Sequence, residues 1–325
     1  MNAITQLDLL DLEALTDRYP IGKLVRYQPI ASGIENSNYF LTTVRERAER
    51  CYVLTILEQP SNAGAALVTL LDVCENAGLP VPTVIRNSEG GAWGELAGKP
   101  ALICRYLPGR HVANPTDQQI EALGRFIARF HNATANLRFS LPPYPRGPDW
   151  LSRQASACVG HIGYASGRLM QDIAAQVRRG LGRLDVSELP TGAIHGDLFR
   201  DNVLFNDLGL TGVLDFHHAA DGFLLYDLAV AANDWCTDAQ GAMDQERVLA
   251  LLRAYHGIRP LVRQELWHFP LFCLYAGLAF WLSRYQASLR KRQNPSVRVN
   301  NPQEFQRIVQ HHAAHFVYLD ERLFL

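Results

Sequence analysis

The chain has 325 residues, and its 31 Lys and Arg against 32 Asp and Glu leave a formal net charge of −1. A nearly neutral chain offers no long-range attraction to nucleic acid or to an anionic membrane surface, so neither is expected as a partner. A composition of 48% hydrophobic and 19% charged residues is typical of a globular protein, and the length exceeds what one hydrophobic core usually holds. Two lobes are therefore predicted.

Cysteine usage and hydropathy indicate a cytoplasmic location. The six cysteines include no Cys-x-x-Cys pair, which favours a reducing compartment and thiols that act as small core residues. The N-terminal residues lack the basic and apolar regions of a signal peptide. The longest uncharged apolar run, Phe269 to Leu282, is too short to span a bilayer and predicts a buried helix.

The first third of the chain predicts an antiparallel sheet. A short helix is expected over residues 7–17 and another over Leu67 to Glu75. A five-stranded sheet is expected, and six extended segments are candidates for its strands: Leu24 to Ile30, Asn38 to Thr43, Cys51 to Leu57, Val84 to Arg86, Ala92 to Leu96 and Pro100 to Leu107. Pro108-Gly109 ends the last of these, so the first lobe is placed at residues 1–107 and the second at 108–325.

The second lobe is predicted to be mainly helical. Its helices are expected at Gln118 to Ala135, Met170 to Leu184, Asp244 to His256, Leu261 to Leu289 and Glu304 to Tyr318. The fold class that follows is α+β, with a small antiparallel-sheet lobe before a larger helical one.

One run in the second lobe carries most of the functional information, His195-Gly196-Asp197-Leu198-Phe199-Arg200-Asp201-Asn202. Asp197 and Asn202 lie five residues apart on one short loop. The Asp can accept the proton of a substrate hydroxyl while the Asn carbonyl reaches a metal ion. Taken alone, such a run would more often be a turn rich in Asp and Asn.

A predicted hairpin follows the run and delivers a second carboxylate. Val203 to Phe205 and Leu210 to Leu214 are expected as strands joined by a turn at residues 206–209, which presents Asp215 at the hairpin end. Mg²⁺ prefers oxygen ligands and keeps several waters, so one amide, one carboxylate and the phosphates complete its ligation. The combined pattern predicts phosphoryl transfer from a nucleotide.

These motifs resemble the aminoglycoside phosphotransferase and choline kinase-like family, which shares the bilobal protein-kinase fold. His-Gly-Asp stands where protein kinases carry His-Arg-Asp, and no Gly follows Asp-Phe, which is typical of the small-molecule branch. The segments IASGIENSNYF (30–40), HGDLFRDNVLF (195–205) and YDLAV with NDWC (226–236) are similar to the homoserine kinases of that family. The resemblance covers nearly the whole chain and implies ATP, Mg²⁺ and L-homoserine as ligands.

The resemblance also implies roles for other residues. The small-lobe hairpin that covers the nucleotide phosphates would contain Ser32, Gly33, Asn36 and Ser37. The Arg105 carbonyl and the Leu107 amide would contact the adenine edge. His195 and Asp227 would support the catalytic loop, with Asp227 as the structural aspartate of the fold.

The third strand departs from the wider family, because Thr55 stands where a basic residue usually holds the phosphates. The homoserine kinase-like subgroup shares this threonine, so the resemblance survives but the phosphate-neutralising cation is open. Candidates are Arg86, Lys99 and Arg200. Arg200 lies in the catalytic loop, where its planar guanidinium could clamp a phosphate or carboxylate bidentately.

The acceptor is expected to be a free amino acid with an ammonium to neutralise. Asn233 and Asp234 are assigned to that ammonium, with Trp235 as one wall of the site. The alternative for Asp227 and Asp234 is a structural or solvated carboxylate, since acidic residues on helices are usually solvated.

The predicted reaction is transfer of the ATP γ-phosphoryl group to the side-chain hydroxyl of L-homoserine. Asp197 would deprotonate the hydroxyl while Asn202 and Asp215 bind Mg²⁺. Two alternatives stay open: another hydroxyl acceptor such as an aminoglycoside, choline or a sugar, and a nucleotide-binding pseudokinase suggested by Thr55. The sequence does not predict the oligomeric state.

Overall fold

The structure is a computed structural model that describes residues 5–30, 36–58, 64–137, 139–184, 188–293, 300–315 and 319. It divides the chain into two compact units, and the division falls between Pro108 and Gly109. The described residues up to Pro108 form the N-terminal unit, and the C-terminal unit begins at Gly109.

The N-terminal unit is built on an antiparallel five-stranded sheet with strand order β1-β2-β3-β5-β4. Its elements are α1 (Leu9–Thr16), β1 (Lys23–Pro29), β2 (Ser37–Arg45), β3 (Ala48–Ile56), α2 (Gly64–Asn76), β4 (Trp93–Leu96) and β5 (Lys99–Arg105). The α+β class predicted from the sequence is confirmed. Val84 to Arg86 was wrong as a strand, because Val84 makes only an isolated bridge to Cys104.

Strand alternation decides which side chains of the sheet meet the core. Tyr39 and Leu41 of β2 are buried in one cluster with Leu54 of β3 and Leu12 of α1. The intervening residues of a strand point to the opposite face of the sheet. Asn38, which pairs with Thr55 in the register of β2 and β3, therefore belongs to the face opposite Tyr39.

The C-terminal unit is mainly helical and contains two small antiparallel sheets, β6 with β9 and β7 with β8. Its helices are α3 (Asp117–Thr134), α4 (Pro148–Cys158), α5 (Tyr164–Gly182), α6 (Leu225–Trp235), α7 (Gln245–His256), α8 (Arg263–Gln293) and α9 (Pro302–Ala314). Its strands are β6 (Thr191–Ile194), β7 (Val203–Asn206), β8 (Gly209–Val213) and β9 (Ala220–Phe223). The predicted last helix reached Tyr318, but residues 316–318 lie outside the described part of the chain.

Local sequence signals account for the start and the packing of α3. The Thr116 side chain caps the helix by accepting from the Gln119 backbone, and the Gln119 side chain accepts from the Thr116 backbone. Such a capping box satisfies two N–H groups that the first helical turn leaves without partners. Gly124 allows α7 to approach, because a Cβ there would lie 2.4 Å from the Leu251 carbonyl oxygen.

One helix of the described residues, over Arg263–Arg292 of α8, is long and apolar enough to cross a membrane by length and composition alone. Its most apolar window is 72% buried inside the protein. Core helices of globular proteins pass the same test, since a helix that is apolar on all sides packs in a large core. The six cysteines are free thiols, and all but Cys51 are buried.

Helix α6 is the centre of the C-terminal unit, because every residue from Leu225 to Trp235 is buried. The helix nevertheless carries Asp227, Asn233 and Asp234. Buried polar groups require hydrogen-bond partners, since an unpaired one costs about 1–3 kcal/mol. The partners of these side chains define much of the site described next.

Candidate active site

The loop after β6 brings Asp197 and Asn202 into direct contact. The Asn202 Nδ2 atom donates to the Asp197 carbonyl oxygen at 2.8 Å and to its Oδ2 atom at 2.9 Å. A short 3-10 turn over Arg200–Asn202 folds the chain back for this contact. Because the amide nitrogen faces Asp197, Oδ1 is the Asn202 atom suited to bind a cation.

The β7–β8 hairpin returns the chain beside this loop and ends at Asp215. The Leu214 amide donates to the Asn202 carbonyl oxygen at 2.8 Å, so the residue before Asp215 is joined directly to the loop. Asp215 is exposed and has a left-handed backbone, with φ 62° and ψ 53°. Asp tolerates this conformation better than most residues. The predicted hairpin between Val203 and Leu214 is confirmed.

His195 connects the loop that contains Asp197 to the end of the hairpin at Leu214. Its Nδ1 atom accepts from the Asp197 amide at 3.3 Å, and its Nε2 atom lies 2.8 Å from the Leu214 carbonyl oxygen. The ring is fully buried, and burial lowers the His195 pKa despite the opposing charge of Asp227. A neutral ring with its proton on Nε2 satisfies both contacts.

Asp227 of α6 holds the start of the loop that contains Asp197 and Asn202 through its carboxylate. Oδ2 accepts from the His195 amide and Oδ1 from the Gly196 amide, each at 2.8 Å. The His131 Nε2 atom of α3 lies 3.2 Å from Oδ2. These contacts support the structural role that the resemblance implied for Asp227, and they place a buried carboxylate where N–H donors converge.

The electrostatic surroundings make Asp197 more basic than an ordinary aspartate. Burial raises its pKa to about 6, and the neighbouring Asp215 adds to this. His218, Arg146 and the hydrogen bond from Asn202 act in the opposite direction. A carboxylate whose pKa is raised in this way is a stronger proton acceptor than a solvated one.

Arg200 does not face an open site, because its side chain is held by Asp234. Nε donates to Oδ2 at 3.1 Å, Nη2 donates to Oδ1 at 3.2 Å, and the Arg200 backbone amide donates to Oδ2 at 2.8 Å. Nη1 donates to the Ala113 carbonyl oxygen at 2.6 Å. Arg200 as a clamp on substrate and Asp234 as the ammonium ligand are therefore corrected to partners in one ion pair.

The other two residues assigned to the acceptor are buried as well. Asn233 is fully buried, donates from Nδ2 to the Cys273 carbonyl oxygen and accepts at Oδ1 from His312, both at 2.8 Å. Trp235 donates from Nε1 to the Leu198 carbonyl oxygen at 3.0 Å. Their polar atoms are engaged within the protein, so neither side chain forms the wall or the ligand that was expected.

In the N-terminal unit, Ser37 lies on the wrong face of the sheet for its expected role. Its side chain is buried and donates to Glu58, which Lys99 also contacts. Asn38 on the opposite face accepts from the Thr55 hydroxyl at 2.7 Å. Asn38 lies within the segment predicted to cover the phosphates but was not assigned a contact of its own, and it is the polar residue beside Thr55. Strand alternation was the signal that could have identified it.

The structure describes only some of the other residues that were predicted to bind the nucleotide. Ser32 and Gly33 lie outside the described residues, whereas Asn36 is half-buried and immediately precedes β2. The Arg105 amide donates to the Thr83 carbonyl oxygen at 2.8 Å, and Leu107 lies beyond the end of β5. The roles of these residues in binding ATP stay predictions.

The other candidates for the missing cation also have partners. Arg86 pairs with Asp72 at the surface. Lys99 pairs with Glu58 and donates to the Thr5 hydroxyl at 2.9 Å. Both cations therefore offset nearby carboxylates, which does not favour either as the phosphate ligand.

Asn202 and Asp215 offer the ligands that Mg²⁺ prefers. Both are oxygen donors, and the Leu214 to Asn202 hydrogen bond fixes their segments together. Within the described residues, no group of three or more His, Cys, Asp or Glu side chains could hold a metal ion. The donor set fits a cation whose ligation is completed by phosphate oxygens and water.

The antiparallel-sheet unit, the mainly helical unit and the contact between Asp197 and Asn202 are typical of a phosphotransferase with the protein-kinase-like fold. The chain belongs to the Phosphotransferase enzyme family, whose model matches residues 26–261. It is 37% identical over 317 residues to the homoserine kinase of Methylobacillus flagellatus, with 97% of this chain and 96% of that protein covered. It is also 37% identical to a homoserine kinase of Pseudomonas aeruginosa, with 94% and 95% covered.

Solved structures show the same fold at low sequence identity. An amicoumacin kinase has a TM-score of 0.70 and 16% identity, with 94% of this chain and 92% of that chain covered. Choline kinase from Cryptosporidium parvum has a TM-score of 0.66 and 13% identity, with 94% and 95% covered.

Two residues near the loop were not assigned from the sequence. The Tyr144 ring packs on Gly196, where an added Cβ would lie 3.3 Å from its Cε2 atom. Arg146 stacks on Phe280 with its Cζ atom 5.0 Å from the ring centroid, and it is close enough to lower the pKa of Asp197. They lie about fifty residues before the motif, and only the fold brings them to it.

Proposed function

We propose that this chain is a homoserine kinase that phosphorylates the side-chain hydroxyl of L-homoserine with ATP, giving O-phospho-L-homoserine for threonine biosynthesis. The observation that carries the proposal is the contact between Asp197 and Asn202 beside the Asp215 hairpin. It occurs in a chain 34–37% identical to homoserine kinases over nearly its whole length. Solved relatives of the fold include complexes with AMP-PNP and Ca²⁺ and with ADP, which supports ATP as the donor.

In the proposed reaction, Asp197 orients the homoserine hydroxyl and accepts its proton as the oxygen attacks the γ-phosphorus of ATP. The bond between that phosphorus and the bridging oxygen breaks, and ADP leaves. Asn202 and Asp215 would hold Mg²⁺, which when bound offsets negative charge on the phosphates. His195 and Asp227 keep the loop in position, so catalysis depends on positioning and on electrostatics.

The nucleotide is assigned to Asn36, Asn38, Arg105 and Leu107, together with Ser32 and Gly33 of the preceding segment. A cytoplasmic location belongs to this proposal too. The test is coupled ADP release from the purified protein with ATP and Mg²⁺, comparing L-homoserine with L-serine, L-threonine, choline and kanamycin. Phosphorus NMR would identify the product.

Selective turnover of L-homoserine is expected. Turnover of a different acceptor would reject homoserine while leaving the phosphotransferase chemistry intact. Binding of ATP without turnover of any acceptor would favour the pseudokinase. Omission of Mg²⁺ should abolish turnover, and its restoration should recover it.

A further inference from the structure

Phe199 connects the two functional residues of the loop through its backbone. Its amide donates to the Asp197 carbonyl oxygen at 2.8 Å, and its own carbonyl oxygen accepts from the Asn202 amide at 2.9 Å. A displacement of Phe199 would therefore move Asp197 and Asn202 relative to each other. The contacts that hold the Phe199 side chain consequently affect the geometry that the proposed reaction requires.

The Phe199 ring is buried in an aromatic cluster formed with α8 and α9. Its centroid lies 4.5 Å from that of Phe280 of α8 and 5.8 Å from that of Phe305 of α9, and both rings meet it edge to face. The centroids of Phe280 and Phe305 are 5.5 Å apart. Aromatic rings that pack in this way prefer defined relative positions and tilts. The cluster therefore holds the middle of the loop against α8 and α9.

Arg284 of α8 joins this cluster to a second contact with the loop. Its Cζ atom lies over the Phe305 ring, 4.5 Å from the centroid, and over the Phe199 ring at 5.5 Å. Its Nη1 atom donates to Glu304 Oε2 at 2.5 Å. The Glu304 Oε1 atom lies 3.9 Å from Nη2 of Arg200. Two consecutive residues of α9 thus contact two consecutive residues of the loop.

Helix α9 begins at a well-defined point directly before these contacts. The Asn301 side chain accepts from the Gln303 amide at 3.0 Å, and Pro302 lies at the start of the helix. Both features favour a helix that begins at this position. Glu304 and Phe305 follow immediately, so the capped end of α9 is the part that meets the loop.

The later turns of α9 are attached to two other helices. Val309 packs against Gly277 of α8, where an added Cβ would lie 3.0 Å from the Val309 Cγ2 atom. Nε2 of His312 lies 2.8 Å from Oδ1 of Asn233 in α6. A residue that is placed on a packed helix is held more precisely than one on a loop. These attachments make α9 a rigid support for Phe199.

We propose that Phe305 is a positioning residue that acts through Phe199 to set the geometry between Asp197 and Asn202. The ion pair between α8 and α9 assists by holding the two rings together. This inference rests on the proposed function and adds to it a residue of α9 on which the rate of phosphoryl transfer depends.

The test compares Phe305→Leu with the wild type by steady-state kinetics. The substitution keeps an apolar side chain but removes the flat ring that packs against Phe199. kcat should fall about 10-fold, because a small displacement of a positioned group has a large effect on rate. KM for ATP and for L-homoserine should change less than about threefold, as expected when the lost interaction acts only in the transition state.

Ile308→Ala is the matched control, since Ile308 is also buried in α9 and its Cγ2 atom lies near Gly277 of α8. It should lower the free energy of unfolding, as Phe305→Leu does, and leave kcat of the folded protein unchanged. Equal losses of kcat in the two variants would overturn the proposal, because they indicate a general structural role. Phe305→Met carries the comparison if circular dichroism shows that Phe305→Leu is unfolded.

A double variant shows whether Phe305 acts through Phe199. Phe199→Leu should lower kcat by a similar factor, and adding Phe305→Leu should lower it less than about twofold further, because both changes remove the same contact. Losses that multiply to about 100-fold would show that the two residues act independently and would overturn the proposal. Unchanged kcat in Phe305→Leu would overturn it as well.

Hydrogen exchange measures the effect on the loop without turnover. The Phe199 and Asn202 amides are hydrogen-bonded within the loop, so they should exchange faster in Phe305→Leu than in the wild type or in Ile308→Ala. A peptide from α3 provides the internal reference. Equal acceleration in α3 and in the loop, or no acceleration in the loop, would overturn the proposal. Absence of L-homoserine turnover by the wild-type protein is a separate result that rejects the proposed function itself.

Discussion

Arg200 and Asp234 form an ion pair in which Nε and Nη2 donate to the two carboxylate oxygens at 3.1 and 3.2 Å. The Arg200 backbone amide donates to the same carboxylate at 2.8 Å. Asp234 therefore fixes both the side chain and the main chain of a residue that lies between Asp197 and Asn202. An experiment on Asp234 can therefore distinguish a role in supporting the loop from a role in binding the acceptor.

Replacement of Asp234 by Ala should reduce stability and kcat together. Removing one partner of a buried pair leaves the other charge uncompensated and costs about 3 kcal/mol. Urea unfolding measures the loss of stability, and steady-state kinetics measure the loss of kcat. KM for L-homoserine should stay unchanged. A raised KM at unchanged stability would instead restore the ammonium role. The double variant with Arg200→Ala should lose less than the sum of the single losses.

Replacement of Asp227 by Asn should weaken the attachment of the catalytic loop. One of the two amide donors, from His195 or Gly196, would then face an NH₂ group, and a buried donor left unpaired costs about 1–3 kcal/mol. We expect a lower free energy of unfolding and a lower kcat in the folded protein. Asp172→Asn, on the exposed side of α5, is the control and should alter neither. Wild-type stability of the Asp227 variant would contradict the structural assignment.

Replacement of Asp197 by Asn should lower kcat about 10²- to 10⁴-fold, the usual loss when a general base is removed. The amide keeps the shape of the carboxylate and an oxygen that Asn202 can donate to, so the fold and KM for ATP should be preserved. Asp207→Asn, in the exposed hairpin turn, provides the matched control. Normal turnover by Asp197→Asn would remove this residue from the mechanism.

Glu58 should make the protein sensitive to acid. Burial alone would raise the pKa of its carboxyl, but hydrogen bonds from Lys99, Ser37 and Thr5 outweigh it and lower the pKa from 4.5 to about 2. A group with a lowered pKa in the folded state contributes stability above its unfolded pKa and loses it as the pH falls towards the folded one. The contribution should therefore be present above about pH 4.5 and disappear towards pH 2.

Glu58→Gln lacks this contribution, so its stability should fall less steeply than that of the wild type between these pH values. Urea unfolding at several pH values measures the difference. Glu49→Gln, an exposed glutamate of β3, the strand that precedes Glu58, should follow the wild-type curve. Parallel curves for Glu58→Gln and the wild type would show that the network does not govern acid stability.

Sequence reasoning succeeded where function depends on short spacing. Asp197, Asn202 and the hairpin to Asp215 lie within one continuous stretch, so the motif already contains their relationship. It failed for Asn233 and Trp235, because every residue of α6 is buried and periodicity cannot identify an exposed face in such a helix. The polar residues of α6 were therefore interpreted as ligands. Because they are buried, they instead form hydrogen bonds with partners inside the protein.

Contacts between residues that are distant in the sequence could not be predicted either. The strands β6 and β9 are four residues each and pair across an intervening hairpin, so neither carries a strong pattern of its own. Ser37 and Asn38 both lie in the segment predicted to cover the phosphates, but alternation along β2 places them on opposite faces of the sheet. Arg146 carries no motif at all, and only the fold brings it to Phe280, the ring on which its guanidinium stacks.

The complete burial of α6 has a consequence for how acceptor preference can diverge among related enzymes. Its polar side chains support the loop from behind, so substitutions there would erode turnover of every acceptor alike. Libraries that aim to change the accepted alcohol should therefore leave this buried helix intact and vary residues outside it.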